Sequence, residues 1–206
     1  MTNTLSSTPP AQRRLLGALV ILLLLAQIEQ PYPEIALLQH IPTMLLLVAA
    51  PALLRRWPLS TAAVACIVAF LALHTLGGRY AYSSVPYDAW AHTLIGTSLS
   101  EAFGWTRNHY DRLVHFAFGA LSVIPVAEIA RRWGGLSHRG ATLTVLAWVL
   151  ATSCLYEIFE WLLTIVAAGE TADRYNGQQG DIWDAQKDMA LAALGAILVL
   201  LVQRRR

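Results

Sequence analysis

The sequence predicts an all-α fold, a polytopic membrane bundle of about six transmembrane helices with both termini cytoplasmic. Three observations carry that expectation. Apolar residues make up 56% of the 206-residue chain and charged residues 14%, with mean hydropathy +0.48, outside the balance of soluble domains. The apolar residues run in long uncharged stretches with no period-2 alternation, which the strands of a membrane barrel would need. The arginines gather in alternate connections between those stretches.

The elements follow in order within one domain, residues 1–206. Residues 1–12 are a polar, proline-containing tail expected to be disordered. The first span runs from Leu15 to Ile28, after Arg13-Arg14. A basic pair before an apolar run also suits a secretion signal, but Ala26-Gln27-Ile28-Glu29 stands where a small-x-small cleavage site would be, so the segment reads as a retained span. The second span is Ile35 to Leu54 and the third Ser60 to Gly77. A long outer connection, 78–112, comes next. Within it Leu94, Ile95, Leu99 and Phe103 fall on one side at helical spacing, which predicts an interfacial helix over Ala91 to Phe103. The fourth span is Leu113 to Ile129 and the fifth Ala141 to Ala167. A second outer connection, 168–187, with a turn at Gly177 to Gly180, leads to the sixth, Asp188 to Val202. The first and last spans are short for a hydrocarbon core that wants about 20 residues.

Orientation comes from the basic residues. Arg13, Arg14, Arg55, Arg56, Arg131, Arg132, Arg139, Arg204, Arg205 and Arg206 lie on one side; Arg79, Arg107, Arg112, Arg174 and Lys187 lie on the other. The arginine-rich side is expected to be cytoplasmic. Trp57 and Trp133 fall at the inner interface, and Trp90, Trp105, Trp161 and Trp183 near the outer one, as aromatic belts require.

The chemistry concentrates on the outer side. Asp111 and His115 are one helical turn apart at the mouth of the fourth span. Asp181, Asp184 and Asp188 follow an i, i+3, i+7 pattern that would make one stripe of carboxylates on a helix, with Asp181 or Asp184 as its cap. Arg112 is a partner for Asp111. Glu157 and Glu160 lie inside the fifth span, where an unpaired charge costs about 2.5–3.5 kcal/mol near a helix centre, so both are expected to face the bundle interior. His74 and His92 read as packed or interfacial residues and His40 and His138 as non-specific; Cys66 and Cys154 read as small buried hydrophobes.

Four ordered motifs resemble those of a known family. They are Gly78-Arg79-Tyr80-Ala81-Tyr82; Arg107-Asn108-His109-Tyr110-Asp111-Arg112 with His115-Phe116; Tyr156-Glu157-x-x-Glu160-Trp161; and Gln179-Gly180-Asp181-x-Trp183-Asp184-x-Gln186-x-Asp188-Met189. Together they are similar to the YjdF-like family of predicted inner-membrane proteins, over nearly the whole chain after the first span. The resemblance implies a helical membrane fold and a bacterial inner-membrane location, and no established activity comes with it. A shorter stretch, Asp111-Arg112-Leu113-Val114-His115-Phe116 with Glu157 and Asp181-Ile182-Trp183-Asp184, resembles the VanZ-like proteins, which are associated with glycopeptide resistance at the cell envelope. Glu160 stands where those proteins carry Gln.

Two function classes fit these residues. One is an enzyme on an envelope or lipid-linked small-molecule substrate, with His115, Asp184 and Glu157 catalytic and Arg107, Arg112, Tyr80, Tyr82 and Gln179 binding substrate. A divalent cation would be held by Asp111, His115, Glu157, Glu160, Asp181, Asp184 and Asp188; mostly oxygen ligands favour Mg, Mn or Ca over Zn. The other is a non-enzymatic protein whose charges form a structural salt-bridge network or an ion or proton site. A conduction path fits less well, because the inner half offers little besides Gln27, Gln39, His40 and Glu128. The partner expected in every case is the lipid bilayer; no basic nucleic-acid surface is present.

Overall fold

The structure, a computed structural model, describes residues 8–166 and 178–204. The tail residues 1–7, Ala167, the part of the second outer connection up to Gly177 with Arg174, and Arg205 and Arg206 lie outside the described residues. Every regular element is a helix: α1 Pro10–Leu25, α2 Pro33–Arg56, α3 Thr61–Arg79, α4 Tyr87–Ile95, α5 Leu99–Phe103, α6 Tyr110–Arg132, α7 His138–Val166 and α8 Asp184–Arg204.

Five of these, α2, α3, α6, α7 and α8, are long and apolar enough to cross a bilayer. The sixth expected span is α1, whose 16 residues reach about 24 Å, short of a core of about 30 Å. It begins inside the expected tail, at Pro10, because proline is well placed in a first turn whose N–H is unused. At its other end Arg79 donates to the carbonyls of Ala26 (2.9 Å) and Ile28 (2.7 Å), satisfying groups the helix end leaves open. α8 starts one turn earlier than expected, at Asp184.

The helix expected over Ala91 to Phe103 is two helices. Gly96, at φ +79°, ends α4 in the left-handed region, and Ser98 starts α5 with a capping box to Glu101. Both expose apolar side chains, among them Leu94, Ile95 and Phe103, as an interfacial segment would.

α6 and α8 run in the same direction and pack as a parallel pair, Gly119 against Ala192 and Gly195 against Phe116. α6 is the hub, flanked by α3 on one side and by α7 and α8 on the other. Val123, Val145, Val149, Ala192 and Ala196 form a fully buried core among α6, α7 and α8. Leu19, Val64, Val68 and Leu71 do the same between α1 and α3. Without a hydrophobic force between helices in lipid, close packing supplies the association, and small residues permit it. A Cβ on Gly119 would lie 1.8 Å from the Ala192 carbonyl oxygen, and one on Gly195 would lie 2.2 Å from that of Phe116. This crossing sets the register of the site. Gly119 is one turn below His115, which is one turn below Asp111; Ala192 is one turn below Asp188, which is one turn below Asp184.

Polar residues also tie the first three helices together. His40 is fully buried; its Nδ1 accepts from Gln27 Nε2 (3.0 Å) and its Nε2 donates to the Thr75 carbonyl (3.2 Å). Gln27 follows the outer end of α1, and Gln39 and His40 lie near the outer start of α2. These three therefore sit at the end of the bundle expected to be outer, not in the inner half expected for them. Glu128 alone of that group is at the inner end, where it accepts from the backbone N–H (2.8 Å) and hydroxyl (2.5 Å) of Ser60, the N-cap of α3. Cys66 is half-buried and Cys154 exposed on α7, so neither is the buried small hydrophobe expected.

Candidate functional site

The ionisable residues at the end of the bundle where α6 and α8 begin separate into two tiers, the outer one nearer the connections. The outer tier joins the two outer connections. Arg107 Nη1 donates to Asp184 Oδ1 at 2.5 Å and lies 3.5 Å from Asp181 Oδ2; Arg112 Nη2 bonds Asp181 and lies 3.4 Å from Asp184 Oδ1. Lys187 Nζ reaches Asp181 at 2.6 Å. Asn108 and Gln179 exchange reciprocal bonds, Asn108 N–H to Oε1 at 2.8 Å and Nε2 to the Asn108 carbonyl at 3.0 Å. The Lys187 ammonium, the Trp183 N–H and the Arg112 guanidinium hold the Asp181 carboxyl down to about 2. Burial, and then repulsion from Arg112 and Arg107, lowers the affinity of the His109 imidazole for a proton below its ordinary value.

Two expectations are corrected here. Asp181 is not on the last helix: it precedes α8 in a turn and accepts from Trp183 N–H (3.1 Å), so the three aspartates do not form one helical stripe. Arg112 does not pair Asp111. One turn geometry cannot satisfy both, because Asp111 faces inward toward His115 while Arg112 points across to Asp181 and Asp184.

The inner tier lies one turn deeper. His115 Nε2 is 3.6 Å from Asp111 Oδ1 on its own helix and 3.6 Å from Glu157 Oε1 on α7. Asp111, His115 and Asp188 each present a ligand atom, all within 4.8 Å of one another, and all three residues are buried. Glu157 Oε1 and Asp188 Oδ1 have no hydrogen-bond partner among the described residues. Glu160, one turn outward on α7, bonds Glu157 and Tyr156, and the Tyr156 ring meets His115 edge-on at 5.9 Å. Of the residues singled out as metal ligands, Asp111, His115, Glu157 and Asp188 thus converge, with Glu160 alongside, whereas Asp181 and Asp184 bind guanidinium groups above.

A cavity of about 240 Å³ opens on this tier. Tyr82 lines it, with its hydroxyl on His74 Nδ1; His74 donates from Nε2 to the Gln39 carbonyl at 2.8 Å, which fixes its tautomer. Tyr80 lies outside the cavity, edge-on to Trp90 and beneath the Arg79 guanidinium. His74, which by sequence could approach the outer site but reads more readily as a packed residue, lines the cavity beside His115. Its signal in the sequence was a histidine followed by Thr75 inside an otherwise apolar span.

Five bilayer-length helices, an exposed apolar surface and a buried acid–histidine cluster make this a polytopic helical membrane protein. The chain belongs to the DUF2238 family of predicted membrane proteins, whose family model matches residues 11–206. It is 33% identical over 172 residues to the inner membrane protein YjdF of Escherichia coli (strain K12), across 82% of this chain and 77% of that protein. No solved structure matches it. Its place is the bacterial inner membrane, as a multi-pass protein.

Proposed function

We propose that the protein is a divalent-cation-dependent enzyme acting on an envelope or lipid-linked substrate at the outer half of the membrane, with both termini cytoplasmic. The carrying observation is the convergence of Asp111, His115 and Asp188, whose ligand atoms lie within 4.8 Å of one another beside Glu157. Ions such as Mg or Ca sit about 2.0–2.6 Å from their oxygen ligands, so donors spaced up to about 5 Å share one ion. Two buried carboxylate oxygens without a hydrogen-bond partner among the described residues, Glu157 Oε1 and Asp188 Oδ1, supply a further reason, since a dication would satisfy both. Three carboxylates and one imidazole favour Mn, Mg or Ca over Zn. A bound ion would polarise a substrate oxygen or activate water.

The outer tier favours the structural reading for its own residues. Arg107, Arg112, Lys187, Asp181 and Asp184 pair with one another, and their role is to clasp α8 to the loop before α6. The test is melting of the purified protein with Mn, Mg, Ca or Zn, since a native-state ligand stabilises by about 2.7 kcal/mol at a hundred times its Kd. Stabilisation by Mn that disappears in Asp188→Asn and Glu157→Gln is expected. Indifference of the parent protein to all four ions would sink the cation reading.

A further inference from the structure

The cavity beside the cation tier gathers its carboxylate and histidine lining at one end. Asp111, His115, His74 and Tyr82 border it there, and the rest of its wall is mainly apolar, including Phe70, Leu71, Val114 and Phe118. Its 240 Å³ equals about eight volumes of roughly 30 Å³ each, room for a short single chain or part of a longer one and too little for the two chains of a bilayer phospholipid. α7 packs on α6 and α8 but its backbone stands off α2 and α3, so Pro42 of α2 and Tyr156 of α7 line the cavity from opposite sides of a cleft. Near the outer surface Leu163 crosses that cleft to pack on the Ile35 and Ala81 cluster, leaving the approach at membrane depth.

A second observation points to a ligand. The Ser153 hydroxyl lines this cavity, is 2% exposed and has no hydrogen-bond partner among the described residues. It lies one turn inward from Glu157, at the depth where an ester oxygen would sit below a headgroup held at the cation tier. The headgroup has to be compatible with carboxylates. An anion would be repelled by Asp111, Glu157 and Asp188 unless a cation stood between, and a phosphate is the hard oxyanion such a cation takes.

We propose that the cavity binds the chain of a monoacylated glycerol phosphate, its ester accepting from Ser153 and its phosphate bound through the cation at Asp111, His115 and Asp188. This rests on the cation reading and names its substrate class. The bilayer delivers the molecule sideways through the cleft.

The probe is 1-acylglycerol 3-phosphate with a diazirine at the chain end, photolysed with the purified full-length protein with and without Mn, and the labelled residues identified by mass spectrometry. Labelling at Phe70, Leu71 or Phe118, at least tenfold stronger with Mn, is expected, with loss in Asp188→Asn. Ser153→Phe should abolish it by filling the cavity while the Mn effect on melting stays; if that variant does not fold, the positions labelled in the parent protein decide. Labelling confined to lipid-facing residues such as Val48, Leu143 and Trp148 would overturn the proposal, since that is the signature of boundary lipid. So would equal cavity labelling by the phosphate-free monoacylglycerol probe, or full displacement by an equal concentration of inorganic phosphate. The two levels fail separately: no Mn effect on melting removes the cation and the lipid together, whereas Mn stabilisation without cavity labelling removes the lipid alone.

Discussion

Gly119→Ala places a methyl 1.8 Å from the Ala192 carbonyl oxygen, where ordinary contact begins at 3.4 Å. α6 and α8 must therefore part by about 1.6 Å at that turn. Overpacking of this kind costs about 1–3 kcal/mol, which at about 2–4 °C per kcal/mol lowers the melting temperature by roughly 2–12 °C. The same movement reaches the site one turn above. Ligand atoms of Asp111, His115 and Asp188 that now lie within 4.8 Å of one another would spread to roughly 6 Å across the helix pair, beyond the span of about 5 Å that one cation bridges. Mn affinity should fall at least tenfold, measured by melting against a Mn titration. Gly17→Ala is the control, because its Cβ would meet nothing within 4 Å in α1; it should keep Mn binding and gain up to about 1 kcal/mol from helix propensity. A Gly119→Ala protein with parental melting and parental Mn response would refute the claim that this crossing sets the site.

Two further outcomes follow from the same geometry. With Cys66 and Cys154 replaced by alanine, a thiol reagent that does not cross the membrane should label Ile182→Cys on intact cells and leave Leu136→Cys untouched; the reverse pattern would invert the proposed orientation. Asp181 is held at about 2 against an ordinary carboxylate value near 4, so its contribution to stability is complete above pH 4 and is lost as pH falls through 2. Asp181→Asn should remove that part of the acid dependence, and an unchanged acid-melting curve would show that the outer clasp does not carry it.

The membrane class was legible in the sequence because apolar runs and arginine placement act one residue at a time, without tertiary context. The deep carboxylates were legible for the same reason: Glu157 and Glu160, set within an apolar span, have to face the bundle interior. The division into tiers was not. Spacing places Asp181, Asp184 and Asp188 on one helical face only if the helix includes all three, and a turn before Asp184 sends Asp181 to Lys187 and the arginines instead. Arg112 has Asp111 as its sequence neighbour, yet α8 packs close enough to offer two aspartates from outside, and a contact between elements is invisible in local spacing. The cavity was equally hidden, because His74 and Tyr82 at or just past the end of α3 and Ser153 on α7 are far apart in the chain and meet only through the packing of α3 and α7 around α6. Gly96 carried a readable break in the expected Ala91 to Phe103 helix, but the apolar spacing on either side masked it.

The central claim, a cation held by three carboxylates and one imidazole, is tested most directly by electron spin echo modulation of Mn bound to the purified protein. The account predicts one equivalent of Mn showing nitrogen coupling from a single imidazole, with that coupling lost in His115→Gln and Mn binding lost in Asp188→Asn. Absence of bound Mn, or nitrogen coupling that persists in His115→Gln, would contradict it.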